Sequence, residues 1–326
     1  MPAWNELPEG LRPKMTGVVL FDKSAIQALS EREMLTVSRH DLHHNIAPVL
    51  LREVLGNVAK EFSDGRDAGR MVQSLARKVG GFHSTINMDY QELCAGELLG
   101  LGTVPLGRCA IVPMGASLHR TEDGETSMLI DQGQWDAMIY RWQSGKFTEA
   151  DRAWARQWRN AAYSFRKSML MDHLQKHRVI LPRPSSIADC AAVVDELLGR
   201  AALQDVWLRY LVEELNLPRP AALGVQSRWE AGFRFLQRFA PYAHHCMRVI
   251  LSVTVAARHR LIRWEPTTVV DATYLYYLPF CEFFVSSDHV HERLAPGLLQ
   301  EPQRFIGAKS LKELVKPLVG PDVGHG

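Results

Sequence analysis

A chain of 326 residues, 46% hydrophobic and 23% charged, has room for one large or two smaller globular domains and is too rich in apolar residues to be disordered. A formal net charge of +2 excludes binding to nucleic acid through overall charge, so any such surface has to be local. Five widely separated cysteines, Cys94, Cys109, Cys190, Cys246 and Cys281, show no Cys-x-x-Cys or Cys/His ligand spacing, which argues for free thiols in a reducing compartment rather than a zinc site or a disulfide frame.

The opening MPAWNELPEGLRPKM lacks the apolar core of a signal peptide. The most membrane-like run, CMRVILSVTVAA, is too short for a bilayer and carries Arg248. These features predict a soluble, cytoplasmic protein that does not engage a membrane. GVVLF (17–21) then reads as a short buried strand, followed at once by Asp22. SAIQALSEREMLTVS is helical, with Ile26 and Leu29 at helical spacing. RHDLHHN reads as a polar loop. Its His40, Asp41, His43 and His44 suggest a metal-dependent phosphohydrolase, but that chemistry needs an earlier histidine and none precedes His40. In IAPVLLREVLGNVAKEF, Pro48 suits a first helical turn, and Val49, Leu50, Val54, Leu55, Val58 and Phe62 make the apolar face.

From about residue 66 to 262 helical stretches predominate, joined by the Pro-rich connectors LPRPSS and LNLPRPAALG. One interruption, AIVPMGASLHRTEDGETSMLIDQ, predicts a hairpin turning near Asp123-Gly124. GELLGLGTVPLG lacks the Gly-Lys-Ser/Thr of a phosphate-binding loop. His244 and His245 are read as packing within a helical block. Residues 140–178 hold nine Lys/Arg against three Asp/Glu, interleaved with Tyr140, Trp142, Phe147, Trp154, Trp158, Tyr163 and Phe165. Residues 228–263 hold seven arginines against Glu230 alone. Basic groups beside aromatics can hold a phosphate backbone and stack unpaired bases, although Trp154, Trp158 and Phe165 also fall at the helical spacing of a core face.

Residues 269–294, VVDATYLYYLPFCEFFVSSDHVHERL, place Asp271 and Asp288 at the two ends of an apolar, aromatic segment. A helix from Asp271 to Leu278, closed by Pro279, rises about 10 Å, and a strand ending at Ser287 climbs back about 13 Å. Both aspartates then lie at one end of the unit, the end where open α/β sheets bind ligands, and Asp22 reaches the same end. RFIG (304–307) adds a further strand. Glu53 interrupts the apolar run PVLLREVLG and is a fourth candidate. Gathered carboxylates need countercharge, and a hard divalent cation such as Mg2+ or Mn2+ supplies it through oxygen ligands.

The order of these motifs resembles PIN-domain nucleases: a strand ending LFDKSA, a helix bearing Glu in LLREVLG, then D…YLYYLPFCEFFVSSD. The resemblance covers roughly residues 16–62 and 266–316. It implies metal ligands Asp22, Glu53, Asp271 and Asp288, with Ser24 and Ser287 as supporting hydrogen-bonders. It further implies an α/β fold: a small PIN-like three-layer domain assembled from both chain ends (16–62 plus 263–318), with a mainly helical insertion at 63–262. The implied activity is a divalent-metal-dependent endoribonuclease hydrolysing phosphodiester bonds in single-stranded RNA. The alternative is a catalytically inactive PIN-like scaffold that binds RNA, or a protein partner through the insertion. Two features depart from the family: Lys23 stands where a small polar residue is usual, and the insertion is much larger than the norm.

Overall fold

The computed structural model describes residues 17–39, 42–54, 68–79, 84–101, 104, 116–120, 126–130, 133–151, 153, 167–265 and 267–318. Its centre is a five-stranded sheet built from β1 (Gly17–Phe21), β2 (Leu42–Ile46), β3 (Ser84–Ile86), β6 (Phe283–Ser286) and β7 (Arg304–Gly307). The strands run in the order β3-β2-β1-β6-β7, and every pairing is parallel. β4 (Ala116–Arg120) and β5 (Thr126–Ile130) form a separate antiparallel hairpin, as the sequence predicts; the expected turn at Asp123-Gly124 lies outside the described residues.

The helical stretch after β1 divides into α1 (Lys23–Ala28) and α2 (Glu31–Ser38). The break is Ser30, whose hydroxyl accepts from the Glu33 amide at 3.1 Å while the Glu33 carboxylate accepts from the Ser30 amide at 2.6 Å. That reciprocal cap satisfies two amides that a new helix start leaves open. Residues 48–54 are helical and bury Val49, Leu50, Leu51 and Val54; Leu55, Val58 and Phe62 lie outside the described residues.

Two readings of the first third of the chain change. The polar loop expected at RHDLHHN is instead β2, a strand next to the centre of the sheet, although His40 and Asp41 themselves are not described. Strands of parallel sheets are normally apolar on both faces. Here polar side chains are accepted because each has a partner. His43 Nε2 lies 2.8 Å from Thr85 Oγ1, His44 Nε2 lies 3.3 Å from Ser38 Oγ, and Asn45 Nδ2 donates to the Phe280 carbonyl at 3.3 Å. The edge strand β3 comes from the stretch read as insertion, so the α/β unit extends at least to Ile86.

The middle of the chain supplies α3 (Ala68–Val79), α4 (Tyr90–Leu99), α5 (Gly133–Gln143), α6 (Lys167–Lys176), α7 (Cys190–Leu198), α8 (Gln204–Glu214), α9 (Arg219–Ala231), the short α10 (Leu236–Phe239) and α11 (Pro241–Arg258). Three helices follow: α12 (Thr268–Leu275), α13 (His289–Leu298) and α14 (Ala308–Val315). α11 is buried almost all round from Tyr242 to Ala256, as a helix enclosed by others must be. It packs against α4, α7, α12 and α13, so the helices and the sheet share one contiguous core. His245 lies within it, its Nε2 2.9 Å from the Leu275 carbonyl. The expected helix at Asp271–Leu278 is shifted: α12 ends at Leu275, and Pro279 sits inside a 3-10 turn over Leu278–Phe280. Among the described residues no helix is long and apolar enough to cross a membrane.

Candidate acidic site at the switch point of the sheet

From β1 the chain fills one side of the sheet with β2 and β3, and later fills the other with β6 and β7. The crevice beyond the carboxyl ends of β1 and β6 is therefore the topological switch point, where open α/β sheets bind ligands. Asp22 is the first residue past β1 and the N-cap of α1, and its amide donates to the Val285 carbonyl at 3.2 Å. Its carboxylate, 3% exposed, is enclosed by donors. Ser24 Oγ lies 2.8 Å from both oxygens, the Ala25 amide donates at 2.8 Å, and Ser286 Oγ donates at 2.6 Å. The hydroxyl that reaches Asp22 from β6 thus belongs to Ser286. Ser287, the first residue past β6, is exposed and takes part through its amide, which donates to Ser24 Oγ at 2.9 Å.

His291, fully buried on α13, completes this node. Its Nδ1 lies 3.1 Å from Asp22 Oδ2 and its Nε2 lies 2.8 Å from the Asp271 carbonyl oxygen. Nδ1 also lies 2.9 Å from Ser286 Oγ, and the carboxylate and carbonyl facing its two nitrogens favour the imidazolium form. Burial works to lower its pKa, but the hydrogen bond and charge of Asp22 outweigh it and raise the value to about 9. Burial likewise pushes Asp22 up, and the His291 hydrogen bond and charge, with Ser286 and the Ala25 amide, bring it below the ordinary carboxylate value. The edges of Phe284 and Tyr274 close over the ring, with centroids at 5.1 and 5.9 Å.

The other three acids sit around this node in different states. Glu53 is held on both oxygens, by Lys23 Nζ at 3.0 Å and by the Tyr274 hydroxyl at 2.8 Å. Asp288 caps α13, its Oδ1 accepting from the Val290 amide at 2.7 Å and the His291 amide at 3.1 Å. Asp271, in the first turn of α12, has no hydrogen-bond donor among the described residues. Burial, and then the charges of Asp288, Glu53 and Asp22, raise its pKa to about 7 against the opposing pull of His291. Asp271 and Asp288 line an open cleft of about 650 Å3.

Asp271 therefore feels the charges of the other three predicted acids, and of the four only Asp271 and Asp288 line the cleft. No group of three His, Cys, Asp or Glu side chains among the described residues is arranged to hold a metal ion. The donor chemistry at Asp271 and Asp288 does suit a hard cation, because Asp271 is a carboxyl without a donor among neighbouring negative charges. Glu53 does not suit it, since Lys23 already supplies its countercharge.

Sequence reasoning passed over His291, Ser286 and Tyr274. A signal for His291 existed, since it stands three residues after a helix-capping Asp, where a side chain turns back toward the cap. Of the basic aromatic stretch, Trp142 is buried in α5 and Tyr140 is exposed, while Trp154, Trp158, Tyr163 and Phe165 lie outside the described residues.

Fold and site together define a parallel α/β protein with an acidic crevice at the switch point. Compared with known proteins, the chain matches no family model, no curated protein and no solved structure.

Proposed function

We propose that the protein is a PIN-like, divalent-metal-dependent endonuclease that hydrolyses phosphodiester bonds in single-stranded RNA. The observation that carries this reading is the state of Asp271. Segments far apart in sequence carry Asp22, Asp271 and Asp288 to the region of the switch point, and the carboxyl of Asp271, which lacks a donor among the described residues, is pushed to about 7 by burial and then by its acidic neighbours. Asp271 and Asp288 would hold Mg2+ or Mn2+, with Asp22 behind them. Such a cation, when bound, activates water and stabilises the leaving oxygen of the scissile phosphate. The protein's own contribution is positional. His291 fixes Asp22 in its ionised form and ties α12 to α13 through the Asp271 carbonyl. Ser24 and the Ser287 amide join the ends of β1 and β6, and Lys23 keeps Glu53 from adding a further uncompensated charge. The four described cysteines are buried free thiols, which supports a reducing, cytoplasmic setting.

A second reading has its own support. His291 and Lys23 already neutralise two of the four acids, as expected of a catalytically inactive scaffold that binds RNA or a protein partner. Cleavage of labelled single-stranded RNA, titrated with Mg2+ and Mn2+, separates the two. The nuclease reading expects metal-dependent cleavage that Asp271→Asn and Asp288→Asn each abolish. RNA bound but uncut at every metal concentration would establish the scaffold.

A further inference from the structure

Three arginines line the cleft together with Asp271, Asp288 and Glu265, and one of them closes a helix in a conformation that usually belongs to glycine. α11 ends in a left-handed turn: the Leu261 amide donates to the Ala256 carbonyl at 2.8 Å and the Arg260 amide to the Ala257 carbonyl at 3.1 Å. This pair of bonds is the closure in which the residue with positive φ is usually glycine. Here it is Arg260, at φ +59°. An arginine in this conformation is disfavoured by its own Cβ, and the same closure recurs after α6 with Arg178 at φ +52°. Its exposed side chain forms no ion pair with any described residue. Arg263 follows, its side chain 88% exposed and, among the described residues, paired with the exposed Glu265 alone at 3.3 Å, a contact that water largely screens. Arg293, on α13, donates to the Leu261 carbonyl at 3.1 Å and so braces the turn. These three arginines and Trp264 line the same cleft as Asp271 and Asp288.

We infer that this cleft is a track for the sugar-phosphate backbone of a single-stranded nucleic acid, with Arg260 and Arg263 on its phosphates. The inference rests on the proposed function for what happens to the strand, but the binding it describes does not require cleavage. The strand passes in front of Asp271 and Asp288, held by the turn after α11 rather than by the basic block at 140–178. Arg260 and Arg263 are positioning residues: they set where the backbone lies and leave the acids untouched.

The test is the affinity of the full chain for a short fluorescein-labelled single-stranded RNA, measured by anisotropy at several salt concentrations in EDTA. DNA of the same sequence, run in parallel, reports whether the 2′-hydroxyl matters. R260E/R263E should weaken binding at least about tenfold and flatten the dependence of log affinity on log salt by about 1.4, or about 0.7 for each lost single-strand phosphate contact. R260K/R263K should retain the slope, and R219E, a charge reversal on α9 outside the cleft, should change neither quantity. R260G separates binding from folding. Glycine suits the left-handed turn, so its melting temperature should hold or rise while RNA affinity falls. Unchanged affinity in R260G and an unchanged slope in R260E/R263E would overturn the inference, as would a wild-type chain that binds no single strand. Metal-dependent cleavage abolished by Asp271→Asn, with the slope unmoved, would leave the nuclease reading standing and remove this one. Arginine-dependent binding without cleavage under Mg2+ or Mn2+ would do the reverse.

Discussion

Two carboxylates, one at the sheet's switch point and one among the helices, are equally buried and respond in opposite ways. Asp22 and Glu97 are each 3% exposed. Asp22 is paired with the His291 imidazolium and is held below the ordinary carboxylate value. Glu97, on α4, reaches the start of α11 and accepts from the Tyr242 amide at 2.8 Å and the Ala243 amide at 3.0 Å. There burial outweighs those amides and that of Val104, and the pKa rises to about 7. A helix N-terminus presents only about half a unit charge, and a nearby imidazolium presents a whole one. The difference teaches that position in the core does not decide ionisation here; the charge of the partner does. Asp271 belongs with Glu97 in this respect, although it stands beside Asp22.

The comparison breaks most visibly at His291. Replacing it with Ala leaves Asp22 buried without countercharge and should destabilise the fold by about 3–5 kcal/mol in urea unfolding. Because His291 rises from 6.5 to about 9, its contribution is complete below pH 6.5 and lost as pH climbs through 9. The gap between wild type and variant should narrow over that range, and a gap independent of pH would mean that packing, not charge, is what His291 provides. Glu97→Gln probes the opposite case. The folded state favours the protonated carboxyl, so wild-type stability falls as pH rises from 4.5 through 7. The amide should therefore be more stable than wild type by about 3 kcal/mol above pH 7, with the advantage fading toward pH 4.5. Ser286→Ala removes one charge-assisted donor to Asp22 but leaves His291 in place, and should cost about 2 kcal/mol in the same assay. The smallest effect concerns Asp271. If it holds the cation, Mg2+ must displace a proton below pH 7, so affinity measured by calorimetry should weaken by about tenfold, near 1.4 kcal/mol, for each pH unit below that value. Affinity flat between pH 5 and 7 would place the cation elsewhere.

Some of this was legible in the residue pattern because it depends on neighbours in sequence. GVVLF is an uninterrupted apolar run, which a buried central strand requires, and FFVS repeats the signal at β6. The bracketing of an apolar segment by Asp271 and Asp288 brought both acids to the same end because a helix and a returning strand have fixed rises. β2 was misread for the opposite reason. LHHNI carries three polar residues, and what makes it a strand is Thr85, Ser38 and the Phe280 carbonyl, two of them distant in sequence. β3, only three residues long, is too short to show a period.

The sequence by itself determined which residues end the strands and cap the helices at the switch point, since an Asp after an apolar strand or before a helix acts through its own nearby backbone. The order of its motifs also raised the expectation that acids from both ends of the chain meet at one place. Tertiary structure alone decided how each acid is met: Asp22 by a histidine 269 residues away, Glu53 by Lys23 and a tyrosine 221 residues away, and Asp271 by no donor among the described residues. Electrostatic energy in a low-dielectric interior depends on distances of a few ångströms between specific atoms. Those distances are set only when α12, α13 and β1 pack together, so the ionisation of each acid, unlike its place in the chain, belongs to the fold.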